Sequence, residues 1–154
     1  MSFLRRMRNW LNQGPTPTSA VTPVVSAPND NAIEVKRRSA ERQQIVDTAR
    51  AMPLLDGVFA VLLYDRFRRN LGPLPHAVFL DLQEVFPYVP KAELADARAR
   101  ADKLIASAYV AGDSLLSSKF TNSSQVREQL AAANPGFGAE SYEETIHYGC
   151  FQAR

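Results

Sequence analysis

Apolar residues recur at helical spacing along most of this chain, and the places where the pattern fails divide it into parts. Residues 32–52, AIEVKRRSAERQQIVDTARAM, are rich in strong helix formers and carry Ile45, Val46 and Ala49 as a modest apolar stripe near their end. In residues 54–73, LLDGVFAVLLYDRFRRNLGP, the side chains of Leu55, Val58, Phe59, Leu62, Leu63 and Phe67 leave almost no polar side before Tyr64. That pattern predicts a central, deeply buried helix. Arg66, Arg68 and Arg69 then oppose the negative end of its dipole, and Asn70-Leu71-Gly72-Pro73 stops it.

Residues 76–86, HAVFLDLQEVF, predict a further helix with Val78, Leu82, Val85 and Phe86 on one side, closed by Pro87. A longer one is expected over residues 91–112, where Leu94, Ala97, Ala101, Leu104, Ile105 and Ala108 keep helical spacing. Its many alanines suit close approach to a neighbour. The polar run DSLLSSKFTNSS, residues 113–124, reads as a connection, with two more helices near 123–133 and 141–153. Ser141 and Glu144 have capping-box spacing at the start of the last one. No β-branched run of period two competes, and no internal repeat is visible. The expected fold is all-α: a single compact bundle of five to six helices over residues 32–154.

Two pieces precede that domain. Residues 14–31 hold four prolines among small polar residues and carry no charge before Asp30, so they read as a flexible linker. As a coil such a segment spans roughly 23 Å root-mean-square. Residues 1–13 predict a short amphipathic helix. Phe3, Met7, Trp10 and Leu11 share one face with Leu4 at its edge, Arg5 and Arg8 lie opposite, and Arg6 sits near the boundary. A free helix of about 11 residues is marginal in water, so this one should fold against something. An anionic membrane surface, a groove on a partner protein and the chain's own domain all suit it.

Charge sharpens the division. The chain carries 18 Lys and Arg against 16 Asp and Glu, but residues 1–29 contain three arginines and no acid, so the remainder sums to −1. The positive character belongs to the N-terminal segment, and a nearly neutral domain argues against a broad phosphate-binding face. A single cysteine, Cys150, excludes an internal disulfide and suits a reducing compartment. No stretch approaches the ~20 apolar residues of a membrane-spanning helix. The expected location is cytoplasmic and peripheral to a membrane. An acid-free, arginine-bearing start followed by Ser and Thr gives the alternative of organellar import, with residues 1–30 as a transit peptide.

Candidate chemistry is sparse. Glu144 and His147 form one Glu-x-x-His pair, where a di-iron bundle needs two copies and two further carboxylates. His147 and Cys150, at i and i+3, have the spacing of a thiolate–imidazolium nucleophile, but a cysteine closing the last helix on the side of Ile146 reads more simply as packing. Gly136-Phe137-Gly138 is half a phosphate-loop pattern with no strand before it, and reads as a turn. Lys36, Arg37, Arg38 and Arg42 form a basic cluster answered by Glu34 and Glu41. It suits contact with an acidic partner.

The sequence therefore points to a non-enzymatic interaction or adaptor protein that binds another protein and uses no cofactor or metal. Its docking residues would be Phe3, Leu4, Arg5, Arg6, Met7, Arg8, Trp10 and Leu11. The alternatives are a nucleic-acid-associated regulator using Lys36 to Arg42, and a small helical enzyme centred on Glu144, His147 and Cys150.

Overall fold

The computed structural model describes residues 29–70, 80–117 and 122–153. The N-terminal segment 1–13, most of the expected linker, His76 and Val78 lie outside the described residues, as do the side chains of Arg37, Arg38, Arg68 and Arg69. Among the described residues there are seven helical elements: α1 (Asn29–Ala51), α2 (Leu54–Asn70), the single turn α3 (Leu82–Val85), α4 (Lys91–Ala106), α5 (Ala108–Ser117), α6 (Ser123–Ala133) and α7 (Ala139–Gln152). Six of these are true helices, and no strand occurs among the described residues. The all-α expectation holds.

By its contacts the chain divides into two units, Met1–Gln44 and Ile45–Arg154, so the division falls inside α1. That helix begins at Asn29, directly after Pro28, and takes in the last residues of the expected linker.

The core of the second unit forms as the apolar pattern of α2 requires. Val58, Phe59, Val61 and Leu63 are almost fully buried, with Ala60, Tyr64 and Phe67 close behind. Burying each large side chain of this kind contributes about 1.5–3 kcal/mol. Against α2 packs α4, through the expected face of Leu94, Ala97, Ala101, Leu104 and Ile105.

Three local expectations are corrected. The helix expected over 76–86 contains, among its described residues, only the turn Leu82–Val85. Asp81 is extended and its carboxylate accepts from the Gln83 N–H at 2.9 Å, which starts the turn there, and Phe86 with Pro87 behind it ends the turn. The helix expected over 91–112 is interrupted at Ser107. Its amide is shared among the carbonyls of Lys103, Leu104 and Ile105, and its hydroxyl donates to the Lys103 carbonyl at 3.0 Å. This back-bonding shares the Lys103 carbonyl with the regular ladder at the point where α4 gives way to α5. Helix α5 then runs on to Ser117 through residues expected to be a connection.

The third correction concerns the last helix. It starts at Ala139 with Gly138 as its cap residue, so Ser141 lies inside the first turn and does not form a capping box with Glu144. A capping box does occur at α6: Gln125 N–H donates to Asn122 Oδ1 at 2.9 Å, and Asn122 N–H to Gln125 Oε1 at 3.4 Å.

Helices α5 and α7 form the tightest pair. A Cβ placed on Gly149 would lie 1.8 Å from the Ala108 carbonyl oxygen, and one on Gly112 would lie 2.0 Å from the Gly149 carbonyl carbon. Backbone touches backbone at this crossing, and only glycine allows it.

Candidate functional site

Glu144, His147 and Cys150 all lie on α7. His147 is exposed and Glu144 half-buried, and each takes part in an interaction. Cys150 is half-buried with its thiol directed at the Gly112 carbonyl at 4.0 Å, into the α5 crossing and not at His147. The helix therefore presents no thiol–imidazole hydrogen bond. Among the described residues no group of three or more His, Cys, Asp or Glu is arranged to hold a metal ion. Of the basic cluster, Lys36 is exposed and Arg42 half-buried. The half phosphate-loop is the turn expected: Gly136 has φ +98°, Phe137 is buried, and Gly138 leads into α7.

The buried polar centre of the unit is Asp56, in the first turn of α2. Its Oδ1 accepts from the Gly138 N–H at 2.8 Å and from the Ser141 hydroxyl at 2.6 Å. Gly138 has no side chain to cap α7, so a carboxylate from another helix supplies the acceptor and lies at the positive end of the α7 dipole. Nearby, the Tyr142 hydroxyl donates to the Asn134 carbonyl at 2.7 Å and accepts from the Phe137 N–H at 3.3 Å. The Phe137 ring meets Phe59 and Tyr142 edge-on, at centroid separations of 6.0 and 6.1 Å. These hydrogen bonds tie α2, the end of α6 and the start of α7 together, while the buried Asn134 Oδ1 beside them has no hydrogen-bond partner.

No protein-family model matches the chain, and no curated protein or solved structure is detectably similar to it. The geometry of this chain alone carries the functional reading.

What the geometry leaves open is apolar surface. Tyr109, Val110 and Leu116 on α5 are 54%, 66% and 48% exposed, Phe151 on α7 is 59% exposed, and Tyr88 in the loop before α4 is 97% exposed. Phe151 has company, since its ring lies 6.2 Å from that of Phe67. The residues on α5 differ in kind. Its inner side buries Ala108, Ala111 and Gly112, and its outer side still presents three large apolar residues with Asp113 and Ser117. A helix apolar on nearly all sides is one that is normally covered on all sides.

Sequence reasoning missed this face because it ended the helix at Gly112 and read 113–124 as polar connection. The signal was present. Carrying the helical frame from Ala108 through Ser117 places Tyr109, Asp113 and Leu116 at i, i+4 and i+7 on one flank, with Val110 beside them.

Proposed function

We propose that this protein is a non-enzymatic adaptor. Its helical unit binds another protein, and its N-terminal arginine-bearing segment holds it at an anionic membrane surface. The observation that carries the reading is the outer face of α5, where three large apolar side chains stand exposed on one ten-residue helix. Scattered apolar residues on a surface are ordinary, but three on a single short helix form a feature that binding would use.

The membrane half of the reading rests on the sequence of residues 2–12. Phe3, Met7, Trp10 and Leu11 suit the boundary between headgroups and acyl chains. Arg5, Arg6 and Arg8 each add about 1 kcal/mol of attraction to an anionic leaflet at low salt. No helix among the described residues is long and apolar enough to cross a membrane, which is compatible with attachment at its surface.

Flotation with lipid vesicles tests the attachment. The full chain should float with vesicles containing phosphatidylserine and not with neutral ones. High salt should release it, and an R5E/R6E/R8E variant of the full chain should stay at the bottom of the gradient. Failure of the unaltered chain to float on anionic vesicles removes the membrane from the proposal. If arginine replacement leaves flotation unchanged, the attachment lies outside this segment.

A further inference from the structure

We propose that the outer face of α5 is the docking surface for a basic amphipathic helix of a partner protein, with Tyr109 and Leu116 as apolar anchors and Asp113 as the charge that selects the partner's sign. This rests on the interaction reading above and gives the partner a chemistry.

The anchors come first. Tyr109 and Leu116 are seven residues apart on one flank of α5, roughly 10 Å along its axis, which is the spacing at which one helix offers successive knobs to another. Val110 widens the strip toward the outermost side. The backbone beneath is rigid, because the Gly112–Gly149 contact fixes α5 against α7. A face presented on a rigid element binds without first having to be ordered.

Charge decides the occupant. Asp113 is the only charged residue of α5, it is exposed, and it makes no ion pair with a described residue. Neither α5 nor α7, its main neighbour, contains a single Lys or Arg, whereas α7 carries Glu140, Glu143 and Glu144; α6, which also packs against α5, carries Arg127 and Glu128. Of these, Glu143 is bridged to Arg127 at 3.3 Å. The strip is thus apolar with an acid at its centre and acids on the helix behind it. An anionic lipid surface would be repelled here.

A second copy of this chain is a poor occupant for the same reason. Asp113 stands at the middle of a helix running from Ala108 to Ser117, so either two-fold pairing of α5 with itself brings the two Asp113 carboxylates together. A helix with Lys or Arg between apolar residues at i, i+3, i+4 and i+7 meets both demands: its apolar side covers Tyr109, Val110 and Leu116, and its cation meets Asp113.

The test is a fluorescence-anisotropy titration of the full chain against two labelled helical peptides, one of leucine and lysine and its twin of leucine and glutamate. The lysine peptide should bind saturably and the glutamate peptide should not. Asp113→Lys should weaken the lysine peptide about tenfold or more and admit the glutamate peptide. The double variant Y109S/L116S should abolish saturable binding, while its far-ultraviolet circular dichroism and a cooperative melting curve show that it still folds.

Equal titrations for parent and variants, or equal binding of the two peptides, overturn the proposal. So does self-association of the full chain that Leu116→Ser abolishes, since the occupant is then a second copy. A rise in lysine-peptide affinity on R5E/R6E/R8E replacement makes the chain's own N-terminal segment the occupant and also overturns it. None of these readings involves lipid, so failure of flotation leaves this test standing.

Discussion

Replacing Gly149 with alanine probes the contact on which the α5–α7 pair depends. On an ordinary helix position the change stabilises, because alanine is favoured over glycine by roughly 0.5–1 kcal/mol. Here the added methyl would sit 1.8 Å from the Ala108 carbonyl oxygen and 2.9 Å from the Gly112 amide nitrogen, where ordinary contact begins at 3.4 Å. Both obstacles are backbone, so no rotamer change relieves them. The helices must part by about 1.5 Å, and a gap of 0.5–1 Å already forfeits a quarter to a half of each dispersion contact along an interface. Overpacking of this kind costs about 1–3 kcal/mol and sometimes more, and this contact belongs at the upper end. We expect a net loss of about 3 kcal/mol, a large share of the 5–15 kcal/mol typical of a domain. Urea unfolding followed by far-ultraviolet circular dichroism measures it. Gly112→Ala should cost a similar amount. The double variant should cost clearly less than the two added together, since helices already parted by one methyl admit the second. An unchanged or raised midpoint for Gly149→Ala would refute the backbone-on-backbone crossing.

Other perturbations follow from the same geometry. Asp56→Ala strips the acceptor from the part-buried Gly138 amide and the buried Ser141 hydroxyl, and should cost about 2–4 kcal/mol in urea unfolding; Asp56→Asn keeps one acceptor oxygen and should cost less. Asn122→Ala removes the α6 capping box and should lower stability by about 1 kcal/mol by the same measurement. Arg66→Ala breaks a 2.9 Å pair with Asp102 in which the side chains are 42% and 41% exposed, so thermal unfolding should register a loss below about 1 kcal/mol that fades as salt is added.

The helices were legible where one face is apolar and the other is not. The buried face of α4 (Leu94, Ala97, Ala101, Leu104 and Ile105) and the near-continuous burial of α2 follow directly from residue spacing. The breaks were harder, because they depend on single polar side chains choosing between two backbone partners. Ser107 interrupts a run of good helix formers where it bonds back to Lys103, and nothing in the apolar period announces that choice. Ser141 has capping-box spacing to Glu144, yet its hydroxyl goes to Asp56, a residue 85 positions away, and no local pattern encodes that partner. Asn122 and Gln125 did carry a local capping signature, hidden inside a stretch rich in polar residues. The outer face of α5 lay hidden for the complementary reason: an apolar residue reads as core until the other side of its helix proves to be fully packed.

Many polar side chains of the unit serve the ends of its helices. Arg50 reaches from α1 to the Val85 and Glu84 carbonyls at 2.7 and 3.0 Å, at the end of the α3 turn. Arg100 and Lys103 reach from α4 to the Pro135 and Ala133 carbonyls at 2.7 and 3.1 Å, at the end of α6. Asp56 serves the start of α7, and Tyr142 serves the carbonyl of Asn134 just past α6. Cations meet carbonyl ends and an anion meets an amide end, as the helix dipoles favour. Short helices joined by tight links need such help, because each exposes unpaired backbone groups at both ends and few residues to satisfy them locally. The outer face of α5 has no such duty: Tyr109, Val110, Asp113 and Leu116 stand exposed and serve no helix end, which leaves them free for the partner proposed above.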